Sequence, residues 1–236
     1  AVTLFGGGTL TTTNLDTSDG GTINFFDGTL TINGGAFNSG GTADLDIQAI
    51  GNGTANFVFQ KGATHTTTGT ATIGGDNGLG RLEINSGSQV SNGFSQIGNG
   101  VGAHFNKVTV KDVNSSWTNT SSQIVGNGGS YNSLDILDGS TVSNILGAIV
   151  GNGSTAHDNS AWVNNGASWN MGGALIVGAS GSDANSVAVT EGGSISSHDG
   201  YIGRGDSNQN TVTVAGENSS WTNMGSLYIG GNESSK

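Results

Sequence analysis

The chain has 236 residues, of which 44 are glycine; proline and cysteine are absent, and 17 acidic against 6 basic residues give a formal net charge of −11. Without cysteine there is no disulfide framework, no haem-attachment motif and no thiolate metal site. So acidic a chain makes a poor phosphate binder, which argues against nucleic acid as a partner, and no apolar run approaches the roughly 18 residues of a membrane span.

Residues 1–50 carry short alternating segments between glycine-rich corners. These are Val2-Thr3-Leu4, Thr9-Leu10-Thr11, Thr22-Ile23-Asn24-Phe25, Thr29-Leu30-Thr31-Ile32 and Leu45-Asp46-Ile47. Alternation of this kind predicts strands with one buried and one wet face. They read as about two irregular N-terminal coils of the array that follows. Ala1 stands where an initiator methionine would, and no charged or apolar leader precedes the body. That pattern reads as a removed signal peptide or a fragment.

From residue 50 one anchor recurs, an apolar residue followed by glycine. It stands at Ile50-Gly51, Ile73-Gly74, Ile97-Gly98, Val125-Gly126, Val150-Gly151, Val177-Gly178, Ile202-Gly203 and Ile229-Gly230, and its glycines are spaced by 23, 24, 28, 25, 27, 25 and 27 residues. Above this lies a longer period. Gly74, Gly126, Gly178 and Gly230 are 52 apart, as are Trp117, Trp169 and Trp221. Long units thus alternate with short ones.

Each unit reads as three short strands. The first ends at the anchor. The second follows an asparagine and alternates, as in Asn106-Lys107-Val108-Thr109-Val110 and Asn210-Thr211-Val212-Thr213-Val214. The third holds one large apolar residue: Val90, Val142 or Ile195 in short units, and Trp117, Trp169 or Trp221 in long ones. Helices are disfavoured, because no apolar three-and-four spacing occurs and each interior glycine costs a helix about 1 kcal/mol. A fixed long period is what a solenoid requires, since each coil stacks about 4.8 Å above the last and like sits over like. The fold class is therefore all-β: a single parallel β-helix, right-handed as parallel crossovers are, with three strands per coil of about 25 residues. About nine coils would give a rod of roughly 45 Å. Residues 1–50 and the regular repeats of 51–236 form one continuous domain.

Stacked asparagines can bond amide to amide along such a ladder. Asn106, Asn132, Asp158, Asn185 and Asn210 are placed in one row, which puts Trp162 in the interior beside Val110 and Val214. No distinct cap is visible from Gly230 to Lys236. Since open sheet edges need cover, this predicts either a longer array or a second subunit over the end.

The phrase Asn210-Thr-Val-Thr-Val-Ala-Gly-Glu-Asn-Ser-Ser-Trp221-Thr-Asn-Met-Gly-Ser-Leu-Tyr-Ile-Gly230, its echo Ser115-Ser116-Trp117-Thr118-Asn119 and the companion Leu134-Asp-Ile-Leu-Asp-Gly-Ser-Thr-Val-Ser143 resemble the repeats of bacterial autotransporter passenger domains of the adhesin-like β-solenoid type. The resemblance covers roughly residues 50 to 230. It implies a parallel β-helix on the bacterial surface or released from it, used in adhesion, aggregation or matrix, and a membrane barrel C-terminal to the repeats.

The chemistry-bearing residues are sparse. Polysaccharide lyases and hydrolases need clustered carboxylates with calcium or a positioned cation. Here Lys61, Arg81, Lys107, Lys111, Arg204 and Lys236 are scattered, and Asp138, Asp183, Asp199 and Asp206 sit at corners. Asp44 with Asp46, and Asp135 with Asp138, are local pairs that do not stack in successive units, so solvated turn acids are the simpler reading. His104 and His157 each stand six residues past an anchor glycine, two coils and roughly 10 Å apart, too far to share a metal. His65 and His198 have no evident partner in the sequence. No cofactor is expected; calcium is the one metal to weigh, on the partial echo Gly74-Gly75-Asp76-Asn77-Gly78 of a calcium-binding repeat.

Two further features bear on recognition. Arg204-Gly205-Asp206 is the tripeptide that integrins read, and its corner position makes it a candidate adhesion loop. Trp117, Trp169 and Trp221 form either a buried corner row or an outward aromatic stripe on which a glycan stacks. The matching Val and Ile of the short units favour burial as a structural row.

The expected function is a non-catalytic extracellular structural or adhesive solenoid: a surface scaffold or fibre subunit assembling end to end. Its expected partners are further copies, a host or matrix surface, or glycans. The alternative is a carbohydrate-binding or polysaccharide-degrading β-helix.

Overall fold

The structure, a computed structural model, describes residues 1–76 and 78–231. Among these every regular element is a strand. The chain winds into a β-solenoid of about eight turns, with three strands per coil of roughly 26 residues. Sheet I holds eight strands, from Leu45–Ile47 to Leu227–Gly231. Sheet II holds nine, from Gly8–Thr12 to Thr211–Ala215, and sheet III holds nine, from Leu15–Asp16 to Ser220–Asn223. All pairings are parallel and join equivalent strands of adjacent coils, so Trp117 lies beside Val142 and Val142 beside Trp169.

The core is the inward half of each alternation. On sheet II the rows Leu82, Val108, Leu134, Ala161, Val187 and Ile84, Val110, Ile136, Val163, Val189 are buried throughout. Each valine, leucine or isoleucine of these rows contributes roughly 1.5–3 kcal/mol by leaving water. The N-terminal coils fill the same space with phenylalanine, Phe57 stacking on Phe59 at 4.7 Å and tilting against Phe37 at 5.3 Å.

The anchor glycines have a double cause. Gly74, Gly98, Gly126, Gly151 and Gly178 all sit at φ between 73° and 81°, a region that costs other residues about 1–2 kcal/mol. A Cβ on each would also collide with an asparagine of the following coil. At Gly126 it would lie 2.2 Å from Asn159 Cγ. That asparagine belongs to a buried ladder. The Asn106 backbone N–H and Nδ2 both donate to Asn132 Oδ1 at 2.9 Å, and Asn132 treats Asn159 alike at 2.9 and 3.0 Å. Asn159 then donates to Asn185, and Asn185 to Asn210.

The ladder passes through Asn159, not Asp158 as the spacing from the anchor suggests. Pairing of Ser133 with Ser160 and of Ile136 with Val163 fixes this register. Val163 therefore takes the interior place, and Trp162 turns outward beside Asp135 and Ala188. Asp158 moves to the corner, exposed, at φ 55°.

Sheet I is broken near the start. Val2–Leu4 pairs only with Ile23–Phe25, and that strand does not pair with Leu45–Ile47. This seam is where the irregular first coils meet the regular array. In the last described coil Val214 and Ile229 are exposed, whereas Val110 to Val189 of the first row and Ile73 to Val177 of the second are buried. The segment from Gly230 to Lys236, in which the sequence shows no distinct cap, falls mostly on residues 232–236, outside the described residues.

Candidate functional site

Trp117 and Trp169 are fully buried and Trp221 is partly so. Each indole finds its polar partner one coil back, where a buried N–H would otherwise be left unpaired. Trp117 Nε1 donates to Asn92 Oδ1 at 2.6 Å and Trp221 Nε1 to Ser197 Oγ at 3.1 Å. Trp169 Nε1 meets the Asn144 amide oxygen at 3.0 Å when that amide is turned to face it. Trp117 and Trp169 belong to the core and offer no face to a ligand, and Trp221 packs against it.

Arg204 ends the Gly200–Arg204 strand of sheet I, and its guanidinium lies 5.1 Å from the centre of the Tyr201 ring. Tyr201 stacks in turn on Tyr228 at 4.9 Å. Gly205 and Asp206 turn the corner at φ 62° and 57°, and Ser207 Oγ ties the turn closed by donating to the Arg204 carbonyl at 2.9 Å. The tripeptide is thus split. Arg204 lies against an aromatic pair on the sheet face, while Asp206 is exposed at the corner.

The outer face of sheet II carries two ion pairs between lysine and carboxylate. Lys107 Nζ meets Asp135 Oδ2 at 2.5 Å and Lys111 Nζ meets Glu83 Oε1 at 2.8 Å. Burial pushes the Glu83 carboxyl up, but Lys111 and Asn85 outweigh it and hold it below the usual range. Beyond these pairs stands Trp162, 42% exposed, with Nε1 donating to Thr190 Oγ1 of the next coil at 2.8 Å. The dipeptide Asn159-Ser160, matching Asn132-Ser133 and Asn185-Ser186, is the sequence signal that would have placed this indole outside.

The seam between Ile23–Phe25 and Leu45–Ile47 opens a cleft of about 510 Å³, lined by Thr17, Ser18, Asn24, Asp44 and Asp46 over Phe25. Burial, and secondarily the Asp44 charge, raise the Asp46 pKa. Asp44 Oδ1 accepts from the Thr70 amide at 2.7 Å. The other acidic pair is separated by its bonds. Asp135 faces Lys107, and Asp138 accepts from Asn165 Nδ2 at 2.8 Å.

The histidines have four different settings. His104 Nδ1 accepts from the Ser130 amide at 3.0 Å, and the His157 amide donates to Ser130 Oγ at 3.0 Å, so Ser130 stands between them in one corner row. His198 Nδ1 lies 3.0 Å from Asp199 Oδ2. His65 is buried, stacked on Phe37 at 4.8 Å, with Nδ1 bonded to the Phe37 carbonyl and Nε2 without a partner. Of the calcium echo, Asp76 Oδ1 accepts from the Gly102 amide at 3.0 Å, and Asn77 lies outside the described residues. Among the described residues no three His, Asp or Glu side chains gather to hold a metal ion.

Comparison with protein-family models, with curated proteins and with solved structures finds no match to the chain.

Proposed function

We propose that the chain is a non-catalytic rod of the extracellular space or the bacterial surface, which presents a repeated corner surface and joins copies end to end. One observation carries this reading: the sheets hold a constant register through the regular array, stitched inside by the amide ladder from Asn106 to Asn210. Equivalent side chains stay about 4.8 Å apart from coil to coil. A contact made at one corner is therefore offered again at the next, and weak contacts add. The acidic exterior keeps such a rod dispersed in water. The resemblance of the repeats to autotransporter passengers points the same way.

Electron microscopy of the purified chain at rising concentration tests the assembly, with single-file filaments expected. Retention on matrix-coated and bacterial surfaces tests the adhesion. Isolated rods at every concentration, together with no retention on either surface, overturn the proposal. The Asp206→Glu variant tests the corner loop: integrin-dependent cell attachment is expected to be lost, and unchanged attachment removes that loop from the account.

A second reading, a polysaccharide-degrading solenoid, draws on the seam cleft and the raised pKa of Asp46. New reducing ends formed from a polysaccharide by the chain and not by Asp46→Asn would favour it over the rod.

A further inference from the structure

Trp162 is the one tryptophan whose register places it on the outside of the solenoid. On sheet II its row runs Glu83, Thr109, Asp135, Trp162, Ala188, Thr213, so the strand after it presents only a methyl group at the same place. The neighbouring outward row is Ser133, Ser160, Ser186, Thr211. An indole thus stands on a floor of small and hydroxylated side chains. Its orientation is fixed by the bond to Thr190 Oγ1, which also accepts from Asn164 Nδ2 at 2.9 Å. Asn164 is held in addition by Glu191 Oε2 at 3.0 Å.

Those bonds decide what the site can offer. The Nε1–H is already used, so the exposed part of the ring is apolar surface without an unmet donor. Fixing the ring beforehand lowers the ordering cost of any ligand laid on it. Of the nearest charges Lys107 is neutralised by Asp135, while Glu191 keeps its negative charge and accepts from the neutral Asn164 amide. The chain as a whole carries −11, which repels polyanions. The surface therefore complements a ring that is flat and apolar on one side, bears hydroxyls at its edge and carries no negative charge.

We propose that the outer face of sheet II around Trp162 binds a neutral glycan. One pyranose lies on the indole, and its edge hydroxyls meet Ser133, Ser160, Ser186 and Thr190. Stacked coils extend the same hydroxylated floor along the axis, so an extended chain of sugars lies parallel to the rod. This names the ligand class for the adhesive reading and rests on it only in leaving this face free.

The test titrates the full chain with linear neutral hexasaccharides: β-1,4-linked glucose, mannose and N-acetylglucosamine, and α-1,4-linked glucose. Tryptophan emission and ligand-observed NMR report binding, with polygalacturonate as the charged comparison. At least one neutral hexasaccharide is expected to bind saturably, and polygalacturonate no more tightly. Trp162→Ala is expected to keep the circular dichroism and melting temperature of the parent while its affinity falls about tenfold. Trp162→Tyr is expected to retain part of the binding, as a flat ring remains. Absence of saturable binding to every neutral sugar overturns the proposal, as does equal binding by Trp162→Ala. A change in the sedimentation of the protein alone on Trp162→Ala also overturns it, because the indole then serves contact between copies. Filaments that form without glycan binding leave the rod standing and sink this site alone.

Discussion

The indole Nε1–H of Trp117 donates to Asn92 Oδ1 one coil back, at 2.6 Å, with both side chains fully buried. Asn92 spends its own Nδ2 on the Phe94 carbonyl and on Asn119 Oδ1, each at 2.8 Å. One amide thus serves an indole, a turn and the next rung of a second ladder. Asn92→Ala is expected to destabilise the chain by about 1–3 kcal/mol, the cost of orphaning a buried donor. Trp117→Phe keeps the ring burial and removes the donor. The double variant should lose less than the sum of the two, with a coupling of about 0.5–3 kcal/mol in urea denaturation. Strict additivity would show that the bond contributes nothing.

Glycine at the anchor answers to two demands that can be separated. Gly153 has φ 98° with open space around its missing Cβ, whereas Gly126 has φ 77° and faces Asn159. Gly153→Ala should cost only the backbone strain, about 1–2 kcal/mol. Gly126→Ala should cost about 1–3 kcal/mol more, because the Asn159 amide must leave its place. Adding Asn159→Ala to Gly126→Ala removes the collision and should bring the extra cost of the glycine change down. Thermal melts of the set decide it, and equal losses at the two glycines would contradict a packing role for the ladder.

Burial lowers the His65 pKa, and the bond to the Phe37 carbonyl only partly opposes this. The unfolded chain therefore takes up the proton more readily than the folded one, whose ring sits among Phe37, Phe59 and Val90 with Nε2 unpaired. Stability is expected to be full above the ordinary histidine value of about 6.5 and to fall as the pH drops below it. His65→Phe should flatten that part of the curve. Denaturation midpoints at pH 7.5 and about pH 5.5 test the sign, and a His65→Phe variant with an unchanged slope would rule this residue out.

Iodide reports the two classes of tryptophan. Trp117 and Trp169 are 0% exposed and Trp162 is 42% exposed. Most of the iodide-accessible emission should vanish in Trp162→Phe and persist in Trp117→Phe. Quenching of the Trp117 and Trp169 emission would place the row outside the core.

The repeat was legible because its cause is periodic. A glycine that must accept both a left-handed φ and an asparagine against its Cα recurs from coil to coil between Gly74 and Gly178. One corner loop recurs with unequal length. It lies between anchor and ladder, so counting from the anchor places Asp158 in the row, whereas the pairing of Ser133 with Ser160 places Asn159 there. One residue of error inverts a strand, which is why Trp162 read as interior and lies outside. The partners of the buried indoles were hidden differently. Asn92 and Asn144 repeat at the same long period as the tryptophans, yet their bonds cross from one coil to the next, a relation no local pattern displays. The seam cleft was invisible in sequence because it arises from a pairing that is missing, between Ile23–Phe25 and Leu45–Ile47.

The alternation of Trp117, Val142, Trp169, Ile195 and Trp221 along one interior row gives the protein a parity. Excising the coil of Val142 or of Ile195 would set two indoles side by side where a small neighbour is needed, and excising the coil of Trp169 would set Val142 beside Ile195 and leave the space of an indole unfilled. Excising the 52 residues from one tryptophan to the next would leave every neighbour of the same kind as before. Length in this protein is therefore a quantity that changes in even steps, and lineages or designs that shorten or extend it are expected to do so by twos.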